Sequence, residues 1–94
     1  MIHHIVLWTL KDPAEAPRFK ALLDRCAGLV PGMHAFEVAI RNEGLEANVD
    51  VALISAFADA AAMEAYQNHP EHQAVAAQLG PMRSERRVLD YERP

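Results

Sequence analysis

Among its 94 residues the chain has one cysteine, Cys26. A lone thiol closes no internal disulfide, so packing alone must hold the fold, and a reducing, cytoplasmic setting is expected. Positive charge is in deficit: nine Lys and Arg stand against thirteen Asp and Glu, a net charge of −4. Such a surface repels a phosphate backbone, which excludes nucleic acid as an expected partner. No apolar run approaches the roughly 20 residues that cross a bilayer, and the chain opens on a strand-like stretch without a basic leader or cleavage site, so no membrane association is expected. Also missing are a glycine-rich phosphate loop, a serine nucleophile elbow, internal repeats and linkers. What remains is 51% apolar with an ordinary 23% of charged residues, a composition that folds. Residues 1–94 form one domain, whose thin core would gain from a partner subunit.

The first element, Ile2 to Leu10, is rich in β-branched and aromatic residues and reads as a strand. Asp12-Pro13-Ala14-Glu15 then reads as a helix start, with Asp12 as cap, Pro13 at the first position and Glu15 reaching back. Pro17 lacks the N–H of a fifth helical residue, so regular helix is expected only from there. Phe19, Leu22, Leu23, Cys26 and Val30 keep helical spacing until Gly28 and Pro31-Gly32 stop it. Met33 to Arg41 and Val49 to Phe57 read as second and third strands, joined by a polar connection. Asp59 caps an Ala-rich helix through Tyr66. His69-Pro70 breaks it, because a residue before proline avoids the α region. Pro70 opens a further helix that runs to about Leu79 and stops at Gly80-Pro81, and Glu85 to Glu92 is the last strand. The order is βαββαβ with the second helix broken, an α+β, ferredoxin-like domain with a four-stranded antiparallel sheet.

Both helices of such a fold lie on one sheet face, so the other face should be polar or covered. On the first strand Ile2, His4, Val6, Trp8 and Leu10 share one side, and His3, Ile5, Leu7 and Thr9 the other. The third strand sets Val49, Val51, Leu53 and Phe57 against Ala52, Ile54 and Ala56. Both sides are largely apolar, and burying a large apolar side chain is worth roughly 1.5–3 kcal/mol. A homodimer through the face with Ile5, Leu7, Ala52 and Ile54 is therefore expected, two sheets packed into one α+β barrel.

Five histidines invite a metal or catalytic reading. His3 and His4 point to opposite faces and cannot hold one ion together, and His34 is expected in solvent. No set of four ligands assembles around His69 and His72, so no metal is expected. The informative stretch is Tyr66-Gln67-Asn68-His69-Pro70-Glu71-His72. Tyr66 shares a helical face with Ala62 and Met63, and His72 with Val75, Ala76 and Leu79. Both point inward from consecutive helices, and His4 can point at them from the first strand. A buried neutral imidazole is competent as a base. Two roles stay open: acid/base or ligand chemistry, and plain hydrogen bonding that holds the kink. Cys26 reads as a core thiol, and Arg83, Arg86, Arg87 and Arg93, interleaved with acids, read as a solvated strand edge.

Five pieces in order resemble the stress-responsive A/B barrel (Dabb) family: His4-Ile5-Val6-Leu7, Val30-Pro31-Gly32, Asp50 leading to Phe57, Tyr66-x-x-His69-Pro70-x-His72, and Val88-Leu89-Asp90-Tyr91. The resemblance spans nearly the whole chain and implies a dimeric α+β barrel. By analogy with a cyclase of the family, it implies that Tyr66 and His72 form a cofactor-free acid/base pair, with His4 lining the same pocket. The chain departs from that pattern at Val51, where the cyclase has a histidine, and at Leu23 and Cys26, where it has aromatics.

The expected function is binding of a small apolar or aromatic carbonyl compound between sheet and helices. Cofactor-independent chemistry of lyase, cyclase or isomerase type would go with it. Tyr66 and His72 are the candidate catalytic residues. His4, Val6, Trp8, Leu22, Leu23, Cys26, Leu53, His69 and Val75 are the candidate substrate-binding residues. The rival readings are a non-catalytic stress-related structural dimer and a barrel of monooxygenase or haem-handling type.

Overall fold

The computed structural model describes all 94 residues. Four strands, β1 (Ile2–Leu10), β2 (Met33–Ile40), β3 (Val51–Phe57) and β4 (Arg83–Glu92), alternate with three helices, α1 (Ala16–Asp24), α2 (Ala60–Gln67) and α3 (Pro70–Leu79). The sheet is antiparallel throughout, in the order β2-β3-β1-β4. This is the ferredoxin-like arrangement expected from the sequence, broken second helix included.

The alternation of β1 decides where the core lies. His4, Val6, Trp8 and Leu10 are buried under the helices, while Ile5 and Leu7 on the opposite side are only half-buried. Phe19 of α1, Phe57 of β3 and Tyr66 of α2 are fully enclosed against that inner face. The outer face leaves Ile54, Leu89 and Tyr91 exposed, more apolar surface than a covered sheet would show.

Three local features position the site. Asp50 is buried; its carboxylate accepts from the Leu10 N–H at 2.8 Å and lies 3.7 Å from the Arg41 guanidinium. It ties the ends of β1 and β2 to the start of β3. Gly32 has φ +87°, and a Cβ there would lie 3.0 Å from Ala62. A residue without a side chain thus lets α2 pack close on the turn before β2. The break between α2 and α3 falls where proline dictates, with His69 extended (φ −64°, ψ 134°) and Pro70 the first residue of α3.

The elements depart from expectation at their ends. Asp12 caps as expected, accepting from the Ala14 N–H at 3.0 Å, and the first turn is irregular as expected, a 3-10 helix, Pro13–Glu15, with regular helix starting at Ala16, one residue before Pro17. Glu15 faces Arg18 at 3.6 Å instead of reaching back. Helix α1 stops at Asp24, short of Gly28. Arg25, Cys26 and Ala27 donate to carbonyls three residues back, at 3.2, 2.9 and 3.2 Å. Three residues per turn keeps Cys26 stacked over Leu23 and buried after the α-helix has ended. Strand β3 starts at Val51 and not Val49. Strand β4 starts at Arg83, two residues before Glu85, because a 3-10 turn (Gly80–Met82) extends α3 and delivers Arg83 opposite Leu10.

Candidate functional site

Between the inner face of β1 and the two later helices lies a cavity of about 250 Å³. Its apolar wall is Val6, Trp8, Leu23, Leu53, Val75, Ala76 and Leu79; its polar groups are His4, Tyr66, His72, Arg83 and Arg86. No three His, Cys, Asp or Glu side chains converge closely enough to hold a metal ion.

Tyr66 and His72 meet on this cavity from either side of the Pro70 break, ring centroids 4.6 Å apart. Tyr66 is fully enclosed, packed against Phe57 at 5.2 Å and Phe36 at 6.3 Å. Its hydroxyl is buried with no hydrogen-bond partner. Burial first, and the neighbouring Cys26 thiol second, push its pKa far above that of an ordinary phenol, so it stays a neutral donor. Cys26 is likewise raised, by burial and then by the charge of Glu71, with Tyr66 and Arg25 partly offsetting.

His72 is half-buried. The end of α2 leaves the Gln67 carbonyl without a helical donor, and His72 Nδ1 donates to it at 3.1 Å. That bond fixes the tautomer and leaves Nε2 as the acceptor. Burial lowers the His72 pKa, and the charges of His4, Arg86 and His69 add to this against the opposing Gln67 bond. The ring is neutral at pH 7.

His4 is buried and bonds through Nδ1 to the carboxylate of Asp90, its register partner on β4. A carboxylate on one nitrogen orients an imidazole and leaves the other ring nitrogen for a ligand. Opposite these groups, Arg86 lies across from Trp8 and Arg83 across from Leu10. Arg18, Arg25, Arg41 and Arg87 each face a carboxylate within 4 Å; Arg83 and Arg86 face none. Burial and the charge of Arg83 lower the Arg86 pKa, against the opposing charge of Asp90.

The structure thus brings together His4, Val6, Trp8, Leu23, Leu53, Tyr66, His72 and Val75. It does not bring Leu22, Cys26 or His69 onto the cavity. Leu22 packs at the margin of the core. Cys26 is fully buried beside Tyr66. His69 caps α3, its Nδ1 accepting from the Glu71 N–H at 3.0 Å. Ala76 and Leu79 border the cavity on the face of α3 that carries His72, as i, i+4 and i+7 spacing allows. Arg83 and Arg86 were hidden in a strand of alternating charge. Only the pairing of β4 with β1 shows which of its arginines face inward.

This geometry belongs to the class of ferredoxin-like domains that carry a pocket between sheet and helices. The model of the stress responsive A/B barrel domain, Dabb, matches residues 2–93, and the chain belongs to that family. A Dabb family protein of Mesorhizobium loti is 27% identical, with a TM-score of 0.80 over 99% of this chain and 96% of its own. A dimeric protein of unknown function from Bacteroides fragilis is 26% identical, with a TM-score of 0.81 over 98% of this chain and 95% of its own. A dimeric ferredoxin-like protein of unknown function from Thermobifida fusca, at 24% identity, shares the fold with a TM-score of 0.84 over 96% and 88% of the two chains. No curated protein matches the chain.

Proposed function

We propose that this Dabb protein is a homodimer that binds a small, ring-sized, partly apolar carbonyl compound in the sheet–helix cavity and performs cofactor-free acid/base chemistry on it. The observation that carries this reading is the convergence of Tyr66 and His72, 4.6 Å apart, on one cavity with neither group used up. His72 spends one nitrogen on Gln67 and keeps the other; the Tyr66 hydroxyl makes no hydrogen bond to oxygen or nitrogen and has only the Cys26 thiol beside it. A neutral imidazole takes an α-proton, and a phenol that stays protonated steadies the oxygen on which negative charge develops. His4, oriented by Asp90, is the second imidazole within reach. Size supports the ligand class, since an apolar cavity of about 150 Å³ already holds benzene and this one has about 250 Å³.

The dimer is supported by the exposed apolar outer face, where Ile5 pairs with Ile54 and Leu7 with Ala52, and by the dimeric state of two of its structural relatives. The test of the pocket reading is deuterium exchange at the α-carbon of small aryl ketones, followed by NMR with wild-type protein and with His72→Ala and Tyr66→Phe. Exchange that depends on both residues supports the reading. Exchange no faster than in buffer, with no ligand-induced change in Trp8 fluorescence, overturns it.

A further inference from the structure

We propose that the ligand of this cavity is an anion, a ring-bearing carboxylate whose charged end is held by Arg83 and Arg86 while its ring lies against Trp8 and Val75. The inference deepens the pocket reading and rests on it. Of the chain's seven arginines four lie within 4 Å of an acid; Arg93 near the chain end and the two that border the cavity do not. This is the more telling in a chain with a net charge of −4, where carboxylates are in excess. Asp90, whose charge acts on Arg86, is engaged through one carboxylate oxygen by His4. Two guanidinium groups held at one pocket mouth repel each other, and a counter-ion between them relieves that repulsion. The planar fork of Arg matches a carboxylate in two parallel hydrogen bonds.

Register and turn geometry make the arrangement a property of the fold. Arg86 stands opposite Trp8 because β4 pairs antiparallel with β1, and Arg83 stands opposite Leu10 across a bulge at the same edge. The 3-10 turn Gly80–Met82 delivers both directly from α3, whose Leu79 closes the apolar wall. The cavity is therefore polarised, with the two cations on its β4 side, the imidazoles of His4 and His72 between, and hydrocarbon from Val6, Trp8, Val75 and Leu79. Arg86 also acts electrostatically on His72. An anion seated on Arg86 offsets that charge and makes His72 a stronger base when the ligand is in place.

The experiment titrates the wild-type protein with benzoate and 2-naphthoate and with the matched neutral amides, benzamide and 2-naphthamide, reading Trp8 fluorescence and the amide resonances of His72 and Val75. The carboxylates should bind about tenfold more tightly than the amides, the worth of one good charge-assisted contact, and the preference should shrink at high salt. In the Arg83→Gln, Arg86→Gln double variant acids and amides should bind alike. Its melting temperature should not fall below wild type, because the substitution removes the Arg83–Arg86 repulsion and breaks no ion pair within 4 Å. Amides that bind wild type as well as acids overturn the anion assignment and leave the pocket reading standing, as does a preference for acids that survives in the double variant. If neither acids nor amides perturb Trp8, His72 or Val75, the pocket reading falls and the anion assignment with it.

Discussion

The ring of His72 lies 4.6 Å from that of Tyr66 although the two residues sit on different helices. A continuous helix would carry residues six apart to faces about 120° apart, since six steps of 100° make 600°, a full turn and 240° more. The extended residue at His69 removes that phase difference. The proline break is thus what makes the pair.

Tyr66→Phe should leave stability unchanged or raise it by up to about 1–2 kcal/mol, because the hydroxyl is buried without a partner and its removal relieves a stranded donor. Urea melts of wild type and variant check this. A loss of more than about 1 kcal/mol would mean that the hydroxyl is bonded in solution and serves the fold.

His72→Ala behaves differently, because His72 bonds the Gln67 carbonyl and packs on Tyr66. A loss of about 1–3 kcal/mol is expected. Melting therefore separates structural from chemical roles at Tyr66 but not at His72, where the proton-exchange assay must decide.

The pH dependence of His72 has a defined sign. Its pKa in the fold lies below the usual 6.5, with burial as the chief cause. The folded protein then binds fewer protons than the unfolded chain as pH falls through that value. The contribution of His72 to stability is complete above about pH 6.5 and is lost progressively below it, down to the depressed folded value. An NMR titration of the His72 ring should show the midpoint below 6.5. Arg86→Gln should raise that midpoint by removing a repelling charge; a midpoint at or above 6.5 in wild type would contradict the burial of the ring.

His69→Ala should cost about 0.5–2 kcal/mol through loss of the α3 cap while leaving ligand affinity within about twofold of wild type, a change of under 0.5 kcal/mol. Affinity that collapses along with stability would place His69 in the site after all. Denaturant melts and the carboxylate titration give the two readings.

For assembly, light scattering should give twice the chain mass of 10.4 kDa. Leu7→Asp should abolish the dimer and leave an aggregated or unfolded chain, since the outer face then carries an unpaired charge where apolar cover is needed. Ile54→Lys, at the exposed partner of Ile5, is the milder version and should yield a folded monomer. A wild type that runs as a sharp monomer would remove the dimer from the proposal.

What the sequence made legible was whatever depends on local chemistry. Two-residue alternation marked both faces of β1, Asp59 marked the start of α2, and Pro70 marked the break. The end of α1 was not legible. Cys26 and Val30 keep helical spacing past Asp24, and a 3-10 turn buries the same residues as an α-turn would. The arginines of the cavity were not legible for another reason. Arg86 and Arg87 are neighbours in a charged strand, and only the pairing of Trp8 with Arg86 and Leu7 with Arg87 decides which one faces inward. Register is a long-range fact, and no local pattern carries it.

The same alternation leaves β1 little freedom to drift. His4, Val6 and Trp8 border the cavity, Ile5 and Leu7 form the proposed dimer face, and both neighbouring strands bind its backbone. A substitution at almost any of its positions is felt by a ligand or by a second subunit. Strand β4 is at a sheet edge with all ten residues exposed, but its second half carries the partner of His4 and shares the outer face with Ile5, so only its first half, Arg83 to Arg87, has room to change. Relatives that handle different compounds are thus expected to differ there and to keep β1.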